Sequence, residues 1–359
     1  MNLLMLNLAV DAEHVTLAFG LRWIEALAQR FDRVDVVTMY AGRHHLPPNV
    51  TVWSVGRERG YPEWLRALRF YWLIWRILRQ RRFAVVFTHM IPVFAVLFWP
   101  VAKLAHVKNV LWYAHGATPP ILRLAHRLVD KVVSSTPEGF RLSSQKVRFL
   151  GQGIDLKLYP YHPRRAAVTI HLVTVSRLAP SKGIDRLLDA LADWQAPDKR
   201  LWQLTVIGDA TNDGERDYAD RLRRSAVKHF TARQIVFTGR IAPEMIAPQL
   251  AEADIFVNLG TTGSLDKAIV EAMASGCLVI SCNDAFRTIA KTEGFSACVI
   301  DCDSVAAVRD ALSRVMALND LERQKLADTQ AYVARRDHTL DGLIDNLTDV
   351  LLETATGRG

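Results

Sequence analysis

The sequence predicts an α/β chain of two doubly wound domains in series, and three observations carry that prediction. Short apolar runs alternate with stretches of helical periodicity along most of the chain. Most of these runs are joined without a hairpin signal, so neighbouring strands are expected to be parallel, with helical crossovers. The chain has 359 residues, half of them hydrophobic, which is too long for one ordinary core and enough to bury two.

The first series of strands is NLLMLNLA, VDVVTM, TVWSV, FAVVFT, NVLWYA and KVVSS. Each reads as a buried parallel strand, of the kind covered on both faces of a sheet. The second series opens at His171 with HLVTVS and continues through LTVIGD, IVFTG, DIFVNL, CLVIS and ACVI. Between its first two strands Ile184, Leu187, Leu188 and Leu191 recur at helical spacing, the stripe that covers a sheet. The boundary is expected in the polar, proline-bearing stretch 159–166, giving domains 1–162 and 163–335. Residues 336–359 hold a last helical pattern, Leu340 to Leu352, expected to pack back on the first domain. Two such domains face each other across a cleft, and their ligands sit beyond the carboxyl ends of the strands.

The formal charge of +8 and a pI near 9.4 favour anionic partners without choosing among them. Nucleic acid is set aside, because no helix-turn-helix, zinc-finger or stacking pattern accompanies the charge. The four cysteines, Cys277, Cys282, Cys298 and Cys302, form no CxxC pair and are expected to be reduced. The N-terminus lacks a basic n-region, and the longest apolar run, Met90 to Ala102, is shorter than a bilayer span. A cytoplasmic protein is expected, and attachment to the inner face of a membrane is one of two readings of a further segment. The segment 64–82 is basic and aromatic, and two readings of it stand: a helix resting on an anionic membrane, or a core helix with a charged edge.

Two segments carry chemistry. In VTVSRLAPSKGIDRLLDAL a strand ends at Ser176, Arg177 and Lys182 flank a short loop, and Gly183 opens a helix. Two cations beside the positive end of a helix make a diphosphate site. In NLGTTGSLDKAIVEAMASG a strand runs into a Gly/Ser/Thr loop and a helix is expected from about Ser264. There the backbone of Gly263, Ser264, Leu265, Asp266 and Lys267 can face an anion, and Glu271 lies one turn further in, where a carboxylate can accept ribose hydroxyls. Asp301-Cys302-Asp303 has the form of a metal motif, but it precedes a helical pattern, so Asp303 or Ser304 is read as a helix N-cap and no metal or other cofactor is expected. His89 stands at a strand's carboxyl end, either lining the cleft or buried as a structural histidine.

Taken together, these segments resemble the family 4 glycosyltransferases of GT-B fold, in which two Rossmann-like domains face each other. The resemblance continues in VIGDA, in IVFTGRIAPEMIAPQLAEADIFV, in the stretch from LWYAHG to GFRL, and in KVRFLGQGIDLKLY, all in the family's order. It implies that Arg177 and Lys182 bind a donor diphosphate and that Glu271 is the ribose ligand. It implies that the turn Thr238-Gly239-Arg240 holds the base and that His115 lies beside the transferred sugar. The first glutamate of the family's E-x7-E motif is missing: Gly263 occupies its position, and Asp266 is the candidate replacement. The family's glycine pair in the first loop is missing too, and Asp11 and His14 stand there as candidate contacts for acceptor or sugar.

The activity implied is transfer of a sugar, with retention, from a nucleotide diphosphate donor to a hydroxyl acceptor on a glycan or lipid-linked precursor. The alternative is a catalytically silent relative that binds a nucleotide or a partner subunit.

Overall fold

A computed structural model describes residues 1–13, 19–164, 168–261, 263–301 and 304–357. They form two compact units. Unit 1 takes the chain as far as Gly153 and again from Leu340, and unit 2 is Ile154–Thr339. The division falls ahead of the polar stretch 159–166 rather than within it.

Unit 1 begins β1 (Asn2–Val10), α1 (Phe19–Ala28), β2 (Arg33–Ala41), β3 (Val50–Ser54), α2 (Glu63–Gln80), β4 (Val85–His89) and α3 (Pro92–Ala105). It continues β5 (Lys108–Trp112), α4 (Pro120–Leu128), β6 (Lys131–Ser134) and β7 (Val147–Phe149). The sheet is parallel, in the order β3-β2-β1-β4-β5-β6-β7. Side chains of β1 alternate between its faces: Leu3 and Met5 pack with Trp23, Ile24 and Leu27 of α1, while Leu4 and Leu6 pack with Phe70 and Phe94 of α2 and α3. Helices on both sides explain why β4 is buried at every position.

Unit 2 contains β8 (Thr169–Val175), α5 (Ile184–Ala192), β9 (Leu201–Ile207), α6 (Asp213–His229), β10 (Ile235–Gly239) and α7 (Ile246–Glu252). It ends with β11 (Ile255–Asn258), α8 (Lys267–Ala274), β12 (Leu278–Ser281), α9 (Asp284–Glu293), α10 (Val305–Met316) and α11 (Asp320–Asp337). Its parallel sheet runs β10-β9-β8-β11-β12. The strand order reverses between β8 and β11, the switch point at which doubly wound sheets take their ligands.

A last helix, α12 (Leu340–Thr356), belongs to unit 1. Leu343, Ile344, Leu347, Val350 and Leu351 bury its inner stripe in the α1 side of that core.

Three sequence expectations are corrected. ACVI forms no strand: its first two residues complete a single 3-10 turn, Ser296–Cys298, and Val299 makes an isolated bridge to Ser281. The glycine-free, apolar look of that run comes from burial of Cys298 and Ile300, not from sheet pairing. Strand β7 was not foreseen, being short and mostly exposed. Of the cysteines, Cys277 and Cys298 are free and buried as expected, but Cys282 is disulfide-bonded.

Candidate active site

The carboxyl ends of β8 and β11 in unit 2 collect most of the residues expected to carry chemistry. After β8 the chain passes Ser176 and Arg177, makes a 3-10 turn at Pro180–Lys182, and enters α5 through Gly183. Gly183 has φ +62°, and a Cβ there would lie 3.1 Å from Leu259 Cβ, so glycine lets α5 start against the β11 loop. That loop is tied back by Thr261 N–H, which donates to Ser181 O at 3.3 Å.

Lys182 is directed at Asp266: Nζ donates to Oδ2 at 2.7 Å, and both side chains are mostly shielded. Asn258 Nδ2 donates to the same oxygen at 3.0 Å. The other end of Asn258 accepts from Gly260 N–H at 3.1 Å and from Ser281 Oγ at 3.2 Å, which fixes its orientation. Gly260 is the space-maker, since a Cβ on it would come within 2.9 Å of Asp266 Oδ2 and 3.2 Å of Lys182 Nζ. Asp266 is the N-cap of α8 but its side chain does not cap that helix. The helix therefore begins at Lys267, not near Ser264 as expected: the chain turns through Gly263, at φ +87°, before it can coil. Ser264 O accepts from Asn283 Nδ2 at 2.8 Å, and Leu265 is buried beneath the turn.

Arg177 has a carboxylate partner that the sequence reading missed. Its Nη1 meets Glu215 Oε1 at 2.7 Å. Glu215 Oε2 in turn accepts from Thr211 N–H at 2.8 Å and Thr211 Oγ1 at 2.6 Å. Burial works against the charge on Glu215, but the Thr211 hydrogen bonds and the Arg177 cation outweigh it and hold the carboxyl below its usual range. Asn212-Asp213-Gly214-Glu215 reads as an ordinary helix cap, and Asn212 does accept from Glu215 N–H at 3.0 Å; that disguised the side chain's second role.

Glu271 lies in α8, 9 % exposed. Burial pushes its carboxyl above the usual range, opposed by the Lys267 charge and by a hydrogen bond from Tyr159. Tyr159, itself buried, is another site residue that the sequence did not single out. Gly239 closes β10 at φ +67°, and its carbonyl accepts from Gly208 N–H at 2.9 Å. Arg240 follows it; its charge, with Arg223 and the Ala210 N–H, holds Asp209 below the usual carboxylate range against the opposing effect of burial.

The remaining candidates belong to unit 1, at the carboxyl ends of its own strands. Asp11 follows β1, 8 % exposed, and accepts from Glu13 N–H at 3.1 Å. Gly42 is its neighbour, where any Cβ would overlap the carboxylate. His115 is exposed after β5, its Nδ1 accepting from Ala117 N–H at 3.1 Å. His89 resolves toward the structural reading: it is 3 % exposed, its ring is 4.8 Å from that of Trp23, and its Nδ1 is 3.1 Å from Asn7 Oδ1. Burial lowers its pKa to about 3, so it is a neutral core side chain. His14 lies outside the described residues. So does Asp303; Ser304 caps α10 by accepting from Ala307 N–H, and Asp301 pairs with Arg287 at 2.9 Å.

Known proteins share this fold. Residues 21–156 match the family described as Glycosyltransferase Family 4, and residues 169–317 match the family described as glycosyl transferases group 1. Among solved structures, the sucrose-phosphate synthase of Thermosynechococcus elongatus superposes with a TM-score of 0.80 at 14% identity, covering 99% of both chains. HepE of Anabaena, crystallised in complex with UDP, superposes with a TM-score of 0.77 at 17% identity, covering 98% of this chain and all of that one. A curated relative, the alpha-monoglucosyldiacylglycerol synthase of Streptococcus pneumoniae, is 30% identical over 110 residues. That stretch is 31% of this chain and 23% of the relative's own length.

Proposed function

Since this chain belongs to the family 4, group 1 glycosyltransferases and has their two-domain GT-B fold, we propose that unit 2 binds a nucleotide diphosphate sugar at the β8–β11 switch point and that the enzyme transfers the sugar with retention. The observation that carries this reading is the placement of Arg177 and Lys182 on one loop after β8, beside the start of α5, with the β11 loop tied against them. The complex of the HepE structure with UDP supports the donor class.

In this reading Arg177 and Lys182 grip the diphosphate and neutralise the charge that grows on it as the glycosyl bond breaks. Lys182 turns from Asp266 to the phosphate, which leaves the Asp266 carboxylate for the sugar hydroxyls in place of the glutamate that Gly263 replaces. Glu271 takes the ribose hydroxyls, with Tyr159 steadying its carboxyl. The backbone at Gly239 and Arg240 holds the base, and His115 and Asp11 serve the acceptor side. No metal takes part.

The bond from C1 to the phosphate oxygen breaks while the acceptor hydroxyl oxygen bonds to C1 on the same face. The hydroxyl proton passes to the departing phosphate oxygen. Fixed cations and dipoles meet the oxocarbenium-like transition state, and no protein nucleophile is required. The acceptor is a hydroxyl of a glycan or of a lipid-linked sugar.

Donor hydrolysis in the absence of acceptor tests this directly. UDP-, GDP- and ADP-sugars are each incubated with the protein and with Arg177→Ala and Lys182→Ala. Release of sugar is expected from one donor class, falling by roughly a hundredfold or more in each variant. Near wild-type release by both variants would overturn the assignment. The anomeric configuration of the first-formed sugar, followed by NMR, tests retention.

A further inference from the structure

We infer that the outer surface of the α2–α3–α4 layer docks the protein onto an anionic lipid bilayer. The first observation concerns charge. Between Glu63 and Asp130 the chain contains no Asp or Glu, while eight arginines and two lysines fall in the same stretch. Arg66, Arg81 and Lys108 find carboxylates, but all three partners lie outside it: Glu63, Asp35 and Asp130. Beyond Glu63, the first residue of α2, the three helices of this layer of unit 1 carry no acidic side chain.

The second observation concerns apolar exposure. Helix α2 buries Phe70, Leu73, Ile74 and Ile77 against the sheet, which is its core contribution. Its opposite face is not the polar surface that a water-facing helix carries. Trp64 is 66% exposed, Leu68 61%, Trp72 47% and Trp75 55%. These residues recur at helical spacing, so they form a stripe along the outside of the helix.

The two observations meet in space. The Arg76 guanidinium lies 5.4 Å from the ring centroids of Trp53 and Trp72, and that of Arg79 lies 4.9 Å from that of Trp75. Cations are held at the level of the exposed rings rather than beyond them. Phe70 stacks on Phe94 at 5.0 Å, so α3 continues the layer, with Trp99 and Leu104 exposed beside Lys103. Helix α4 packs on α3 through Ala95, Leu122 and Ala125, and exposes Ile121 and Leu124 on the same helix as Arg123 and Arg127.

A surface that is predominantly basic and studded with tryptophan matches the boundary between anionic headgroups and acyl chains. The centre of a protein–protein interface is depleted of charge, which this surface is not. Among the described residues no helix is long and apolar enough to cross a membrane, so the contact is with the bilayer surface. This inference stands apart from the sugar-transfer reading, because it rests on residues outside that site.

Sedimentation with phosphatidylcholine vesicles, with and without phosphatidylglycerol, tests it using the full chain. Binding is expected only to the vesicles containing phosphatidylglycerol and should weaken as salt rises. Arg76→Gln and Arg79→Gln should each lower the partition coefficient about fivefold. The pair Trp72→Ser, Trp75→Ser should lower it at every salt concentration, since ring insertion is not screened. Lys325→Gln, on α11 of unit 2, should leave it unchanged. All these side chains are exposed, and unfolding midpoints confirm that each variant is folded. No binding at low salt, equal binding by all variants, or self-association that depends on Trp72 and Trp75 would each overturn the inference.

Discussion

Glu215 fixes Arg177 in place: the two side chains meet at 2.7 Å, and Thr211 grips the far oxygen of the carboxylate through both its N–H and its hydroxyl. A cation this anchored keeps its position before any ligand arrives. Lys182 is held by the Asp266 carboxylate, to which Asn258 Nδ2 also donates. Each cation thus meets a carboxylate from another element, Arg177 from α6 and Lys182 from the start of α8.

Glu215→Ala should therefore raise the donor KM roughly tenfold, in keeping with a charge-assisted bond of about 1.5 kcal/mol. The variant carrying both Arg177→Ala and Glu215→Ala should be no worse than Arg177→Ala alone. Additive losses in this double-mutant cycle would show that Glu215 acts other than through Arg177.

Gly263 holds φ +87°, a region that residues with a side chain enter at a penalty of about 1–2 kcal/mol. Gly263→Ala should lower unfolding free energy by that amount in urea titrations. Gly263→Glu, which restores the residue type of related enzymes, should destabilise similarly and should not raise donor turnover. A stable, faster Gly263→Glu enzyme would mean that the loop tolerates the ordinary motif.

Gly208 sits at φ +125°, where an added Cβ would fall 1.9 Å from the carbonyl oxygen of Ser176. That atom is backbone at the end of β8, immediately before Arg177, and cannot step aside alone. Gly208→Ala should reduce stability by about 3 kcal/mol or more, seen as a lower melting temperature or loss of folded yield.

His89 gives unit 1 an acid limb. Its folded pKa of about 3 lies below the ordinary value of 6.5, so between those values the unfolded chain binds a proton that the folded chain refuses. Stability from this group is complete above pH 6.5 and declines as pH falls toward 3, by up to about 1.4 kcal/mol per pH unit. His89→Gln should flatten that slope in denaturant midpoints measured across the range. An unchanged slope would place the titration elsewhere.

Most of the fold was legible because buried parallel strands announce themselves as largely apolar runs, and β1, β4, β5, β8 and β11 all do so. Short or exposed pairing leaves no such trace, which is why β7 escaped notice and ACVI misled. The loop after β8 was readable, since paired cations before a glycine and a helix are a local pattern. Partners that arrive from other elements were not: Glu215 comes to Arg177 from α6, and Tyr159 comes to Glu271 from before β8. The bond at Cys282 was missed for the same reason, as spacing along the chain does not report distance in space.

The position of α12 has a consequence for how the protein is made. Leu343, Leu347 and Leu351 complete a core whose other residues begin at Leu3, with all of unit 2 encoded in between. As the polypeptide leaves the ribosome, unit 2 has its whole sequence in hand while unit 1 still shows an open apolar groove over Trp23 and Ile24. Unit 1, begun before unit 2, is thus finished after it, and a message cut short before Leu340 yields a product with that groove uncovered, a target for chaperones and proteases.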